Sequence, residues 1–317
     1  MKLRVVHVLF LILTVLSSYS QQITIPSGSG NVAIGDPFIM LWGGKYYAYG
    51  TKSPLGIVVY ISDDLVTWTV PGNSNGGLAL HKDDVWAERR FWAPEVYYVK
   101  GRFYMFYSAD EHVCVATSDN PAGPFRQSVQ EPLIAEEKCI DNSLFIDEDG
   151  KAYMQFCRFN DGNNVWIAEM EDDLLHIRKE TMHKCINVSQ KWEEIWPRVN
   201  EGSFIIKHGG IYYMTYSANS YESPFYGVGY ATSKSIYGPW VKYQNNPILQ
   251  KPGGLPGVGH SALFIDKDGK LRIVFHSHFN STSVHPRIMH IGTVHFEMRN
   301  GGEIMTIGTD YLTPELK

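Results

Sequence analysis

The chain has 317 residues and a formal net charge of −5, from 28 basic and 33 acidic side chains. No basic stripe runs through it, which excludes the usual footprint of a nucleic-acid-binding protein, and its length suits one large domain or two ordinary ones. Aromatic residues make up 13% of the chain and charged residues only 19%, a balance that favours sheet and leaves flat apolar faces for a ligand.

The first twenty residues, "MKLRVVHVLFLILTVLSSYS", have a basic start at Lys2 and Arg4, an apolar run and a small-residue end at Ser18 and Ser20. That is the pattern of a secretory signal peptide over 1–20, cleaved before Gln21, and its apolar run is short for a membrane span. Export to a periplasmic or extracellular location is expected, with residues 21–317 forming one domain. No later segment is apolar enough to cross a membrane.

Beyond the leader one frame recurs. It reads "GDPFIMLWGGKYYAYGT" at 35–51, "WAPEVYYVKGRFYMFYSA" at 92–109 and "IDNSLFIDEDGKAYMQFC" at 140–157. It returns as "NEGSFIIKHGGIYYMTYSA" at 200–218 and "GHSALFIDKDGKLRIVFHSH" at 259–278. Each copy has a polar or small head, a short apolar strand, a glycine turn and a second alternating strand. The turn glycines are Gly44, Gly101, Gly150, Gly210 and Gly269, at gaps of 57, 49, 60 and 59 residues. Gly-Gly and Asp-Gly between alternating runs signal tight hairpins, and material for about two more strands follows each one. The expected fold is all-β: a single five-bladed β-propeller with four-stranded antiparallel blades. Two tandem sandwiches would not account for five hairpins with matching heads.

Two long loops carry tryptophan: "HKDDVWAERRFW" at 81–92 with Trp86 and Trp92, and "SQKWEEIWPR" at 189–198 with Trp192 and Trp196. Loops of this kind commonly carry specificity. Trp92, at the head of the second copy, is the expected stacking platform, with Trp86 and Trp196 beside the mouth. Cys114, Cys139, Cys157 and Cys185 match no zinc pattern, and both disulfides and buried thiols are open to them.

In a propeller the innermost strand of each blade lines the central channel, and the strand heads converge at one end. The heads here are Asp36, the 92–95 segment, Asp141, Glu201 and His260. Carboxylates crowded into one site raise at least one pKa, a cost without return for a structural protein but useful to an acid/base enzyme. Glycoside hydrolysis needs such a set: one carboxylate to activate water and one carboxylic acid to protonate the leaving oxygen. A separation of about 6.5–9.5 Å admits the water and inverts the anomeric carbon.

The ordered set "GDPF", "WAPEV", "IDNSLF" and "NEGSF" on a five-copy repeat resembles glycoside hydrolase family 43, over essentially all of the mature chain. The resemblance implies Asp36 as general base, Glu201 as general acid and Asp141 as the carboxylate that tunes the acid. It also implies that Arg287, in "SVHPRIMHIG", reaches the sugar hydroxyls, and that His260 lies in the site. There His260 would touch a structural calcium, largely through waters, since one imidazole is a poor calcium ligand by itself. His276, His278, His285 and His290 surround Arg287 in sequence, and sugar-pocket lining is the plainer expectation for them than a zinc site. No organic cofactor is needed for proton transfer and water attack.

The expected substrate is an oligosaccharide or polysaccharide, with exo action on α-L-arabinofuranosyl linkages. β-Xylosides, arabinan and galactofuranosyl or other galactose-containing linkages are the alternatives within the family. A fructan-cleaving enzyme on the same fold would show an Asn-Asp-Pro-Asn-type first motif and a Glu-Cys acid motif, which "IGDPF" and "NEGSF" do not. A non-catalytic glycan-binding propeller would not require three carboxylates at its heads.

Overall fold

The computed structural model describes residues 30–195, 197–299 and 301–317. The signal peptide expected over 1–20 lies outside the described residues. Almost all regular structure is β, arranged as five sheets. Blade one starts at strand Gly35–Trp42, blade two at Trp92–Val99, blade three at Cys139–Ile146, blade four at Asn200–His208 and blade five at Gly259–Ile265. These five inner strands meet one another in a closed ring, the last contacting the first.

Blades three, four and five have the expected four antiparallel strands, but the other two differ. Blade two has three strands, because the segment after Ser118 bonds only briefly, through Thr117 and Arg126. Blade one is a mixed seven-stranded sheet: the C-terminal Glu315–Leu316 pairs parallel with Thr67–Thr69 and antiparallel with Gly30–Asn31. The first described strand and the C-terminal strand therefore meet on the first blade, and no repeat pattern in the sequence marks this closure.

Apolar residues fill the spaces between blade faces. One cluster, including Phe106, Met154 and Phe156, joins blades two and three, and another, including Ile167, Ile205 and Met214, joins blades three and four. The five turn glycines all have positive φ, from 75° at Gly44 to 86° at Gly101. A Cβ at each would meet nothing within 4 Å. The turns thus require glycine for its backbone freedom and not for space.

The head of every inner strand carries the same bulge. Strand pairing slips between Gly35 and Phe38, Trp92 and Glu95, Ile140 and Ser143, Glu201 and Phe204, and Gly259 and Ala262. The second residue of each bulge is left-handed: Asp36 (φ 48°), Ala93 (45°), Asp141 (57°), Gly202 (54°) and His260 (46°). Four of these five are not glycine, a strain of the kind that persists where surrounding structure holds it and re-aims a side chain. Backbone N–H groups at these positions are tied to the preceding blade. Ala93 donates to Thr51 Oγ1 at 3.0 Å, Asp141 to Ser108 Oγ at 2.9 Å and His260 to Ser217 Oγ at 2.7 Å.

Candidate active site

The converging heads enclose a cavity of about 250 Å³ lined by Asp36, Thr51, Trp92, Ile140, Asp141, Glu201, Tyr221, His260, His285 and Arg287. A wider cavity of about 510 Å³ adjoins it on the Glu201 side and shares Ile140, Glu201 and Tyr221. The three carboxylates expected from the sequence all line the smaller cavity, each between 6% and 8% exposed.

Asp36 sits in a cationic grip. Arg287 Nη1 donates to Oδ1 at 2.6 Å and Nη2 to Oδ2 at 2.9 Å, while Thr51 donates to Oδ2 at 2.6 Å. His260 Nδ1 stands 3.3 Å from Oδ1. Burial opposes ionisation of Asp36, but Arg287, through its charge and hydrogen bonds, and the neighbouring His260 and His276 together outweigh it and hold the carboxyl well below the usual range. Burial also keeps His260 and His276 below the ordinary histidine value, so the permanent charge of Arg287 dominates at neutral pH. Gly35 makes this approach feasible, since a Cβ there would fall 2.0 Å from Arg287 Cζ.

Glu201 has the opposite environment. Burial pushes its carboxyl up to about 7, against the lowering effect of two hydrogen bonds. Those bonds are donated by Tyr226 Oη to Oε1 and Asn163 Nδ2 to Oε2, both at 2.9 Å. Asp141 is raised well above the usual carboxylate range by burial, then by the charges of Glu201 and Asp36. Asp141 and Glu201 therefore titrate as a pair and retain a proton between them near neutral pH.

The remaining expected residues divide. Trp92 and His260 line the cavity. Arg287 lines it as well, but its guanidinium is committed to Asp36 and lies 5.1 Å from the Tyr221 ring centre. Trp86 is absent from both cavity walls: it packs against the core and stands edge-on to His112 at 5.5 Å. Trp192 is packed beside Tyr216. Trp196 lies outside the described residues. Of the four histidines near Arg287, only His285 lines the cavity. His278 is bonded to the Tyr221 carbonyl and His290 lies between Ser277 and Thr313. All four cysteines are free thiols. Glu95 is buried, accepts a hydrogen bond from the Tyr97 hydroxyl, is pushed up to about 8 by desolvation and does not line the cavity.

Sequence reasoning missed Thr51, Asn163, Tyr221 and Tyr226. Thr51 was open to detection, since it stands on the second strand of the first repeat opposite the strand head, where Ser108, Cys157, Ser217 and His276 stand in theirs. The other three lie in or next to connections between second and third strands, where no repeat signal survives.

The model for glycosyl hydrolases family 43 matches residues 29–299. Among solved structures, an endo-1,4-β-xylanase from Bacteroides thetaiotaomicron is 46% identical, with a TM-score of 0.84 over 90% of this chain and 98% of that one. A thermostable family-43 glycoside hydrolase is 36% identical, with a TM-score of 0.79 over 89% and 95% of the two chains. Curated relatives include the β-D-galactofuranosidase of Aspergillus niger, 24% identical over 92% of this chain and 89% of its own length. The extracellular exo-α-(1→5)-L-arabinofuranosidase of Cellvibrio japonicus is also 24% identical, over 79% and 80%. With a family match over nearly the whole described chain, and a solved structure 46% identical across 90% of it, this protein belongs to glycosyl hydrolase family 43.

Proposed function

We propose that the protein is an exported, inverting hydrolase acting at chain ends on α-L-arabinofuranosyl linkages of plant polysaccharides. The observation that carries the reaction is the opposed ionisation of two carboxyls on one cavity: Arg287 holds Asp36 charged, while burial keeps a proton on the Asp141–Glu201 pair. Asp36 takes a proton from water as the water attacks the anomeric carbon. Glu201 gives its proton to the leaving oxygen, and Asp141 raises the acid's hold on that proton. Inversion requires the two reacting carboxyls to stand about 6.5–9.5 Å apart with the water between them.

Trp92 offers a flat face to the sugar, and the cavity of about 250 Å³ has room for a single sugar unit. The wider cavity beside Glu201 takes the leaving group, because the acid must face the departing oxygen. The leader-like N-terminus and the extracellular relative from Cellvibrio japonicus support export.

Proton transfer and water attack need no organic cofactor. For the implied calcium, the donor set fits poorly. Calcium takes about six to eight oxygen ligands, often carboxylates, and the described residues contain no group of three His, Cys, Asp or Glu side chains able to hold an ion. His260 directs Nδ1 toward Asp36, and no step runs through a metal.

A second reading is favoured by the 46%-identical structure named as an endo-1,4-β-xylanase: attack on β-1,4-xylosidic bonds with the same residues in the same roles. Nitrophenyl α-L-arabinofuranoside, β-xyloside and β-galactofuranoside, followed by arabinan and xylan, separate these readings. Proton NMR of the first product anomer tests inversion. Binding of these glycans without any cleavage would mean a non-catalytic propeller.

A further inference from the structure

At the junction that closes the ring, the backbone latch is built differently. Thr51, Ser108 and Ser217 accept the next blade's N–H through hydroxyls. On blade five the same register position is His276, and its Nδ1 lies 3.1 Å from the backbone nitrogen of Asp36. A hydroxyl suffices for this bond at three of the other four junctions, the fourth having the small thiol of Cys157 at that position, so the imidazole calls for another reason. It lies on the ring's other contact: His276 stacks on Tyr226, with centroids 5.8 Å apart and planes 21° apart. Tyr226 is the residue whose hydroxyl donates to Glu201 at 2.9 Å.

We infer that His276 is a positioning residue for the acid–base pair, holding Asp36 through its backbone N–H and Glu201 through the stacked Tyr226. An Nδ1 that accepts an N–H requires the tautomer protonated on Nε2. His276 is fully buried, and its Nε2 has no hydrogen-bond partner among the described residues, so the Nδ1 bond and the stack fix the ring. Burial, Arg287, His260 and His278 all oppose a second proton on it, and Asp36 alone favours one. A doubly protonated ring would turn a donor toward the Asp36 N–H and break the latch. Gly259 leaves room for the arrangement, since a Cβ there would stand 2.3 Å from Tyr226 Cε1.

The inference rests on Asp36 as base and Glu201 as acid, so its test reads the ring as well as the turnover. In full-length protein labelled with ¹⁵N in its histidines, His276 is expected to show an unprotonated Nδ1 and a protonated Nε2 throughout pH 5–8 (roughly the histidine range). A ring protonated on Nδ1 overturns the inference whatever the activity. In kinetics, His276→Leu removes the acceptor and is expected to lower kcat about 10- to 100-fold with little change in KM. His276→Asn, which places an amide oxygen near the Nδ1 position, recovers much of that loss. His276→Ser restores the latch but not the support of Tyr226, so it should also displace the basic limb of the pH profile. If the leucine variant fails to fold, the asparagine and serine variants decide. A folded leucine or serine variant with wild-type kcat and pH profile overturns the inference. Wild-type protein silent on every glycoside would sink the functional reading instead, and the NMR result would then judge His276 alone.

Discussion

Glu201 stands one residue ahead of the bulge position that Asp36 occupies, where blade four has Gly202. The proposed base and acid thus leave their strands from successive positions of the repeat, and the fivefold frame does not place them symmetrically around the axis. Residues equivalent to Glu201 are Gly35, Trp92, Ile140 and Gly259. At the two glycines the vacant room is taken by Arg287 and Tyr226, which reach the Asp36 and Glu201 carboxyls.

Gly202 is constrained in both backbone and space. Its φ is 54°, and a Cβ there would stand 3.0 Å from His260 Cγ. Gly202→Ala is expected to cost about 1–2 kcal/mol from the left-handed backbone alone. It should also push His260 from Asp36 and lower kcat several-fold. Thermal unfolding and steady-state kinetics on the same preparation check both effects.

The pH profile follows from the two carboxyl environments. Activity should fall as pH rises through about 7, where Glu201 loses its proton, and should hold on the acid side because Asp36 stays ionised. Tyr226 and Asn163 both stabilise the charged form of Glu201. Tyr226→Phe and Asn163→Ala should therefore each move the basic limb upward, by roughly half a unit to one unit. A log plot of kcat/KM against pH for the three proteins reads this directly.

Arg287→Met leaves the buried Asp36 carboxylate without its cation. Removing one partner of a buried pair costs about 3–5 kcal/mol, so a clear fall in the unfolding midpoint is expected. Asp36 should then titrate at higher pH, and the acid side of the activity profile should retreat toward neutrality. Urea unfolding and the acid limb of kcat/KM measure the two consequences.

Stability should depend on pH with opposite signs at the two kinds of carboxyl. Asp36 is lowered in the folded state, so its contribution is present above its unfolded value of about 4 and lost as pH falls below it. Asp141 is raised, so its contribution is full below about pH 4 and lost as pH rises. Asp141→Asn is accordingly expected to raise the melting temperature by a few degrees at pH 8 and to leave it unchanged at pH 4. The same substitution should reduce kcat, since Asp141 is the proposed tuner of the acid and titrates together with it.

Much of this site was legible because the repeat is. Glycine turns and alternating strands mark five hairpins, and aligning them brings Asp36, Asp141 and Glu201 to one end of the ring. The one-residue offset of Glu201 was not legible, because a bulge shows as positive φ and slipped pairing, and "NEGSF" beside "GDPF" aligns as readily either way. Trp86 misled for a physical reason: a large aromatic in a long loop serves a mouth or a core equally well in sequence, and here it packs inward on His112. Arg287 lines the cavity, but its pairing with Asp36 depends on Gly35, more than 250 residues away in the chain, which the sequence pattern does not reveal.

The most direct test of the account is turnover of the best nitrophenyl glycoside by Asp36→Asn beside Glu201→Gln. Loss of the base should lower kcat by about 10²–10⁴-fold with any leaving group. Loss of the acid should matter far less for an activated nitrophenol than for a natural oligosaccharide. That split is the expected result. Wild-type turnover in folded Asp36→Asn protein would contradict the assignment of Asp36 as base, and with it the mechanism.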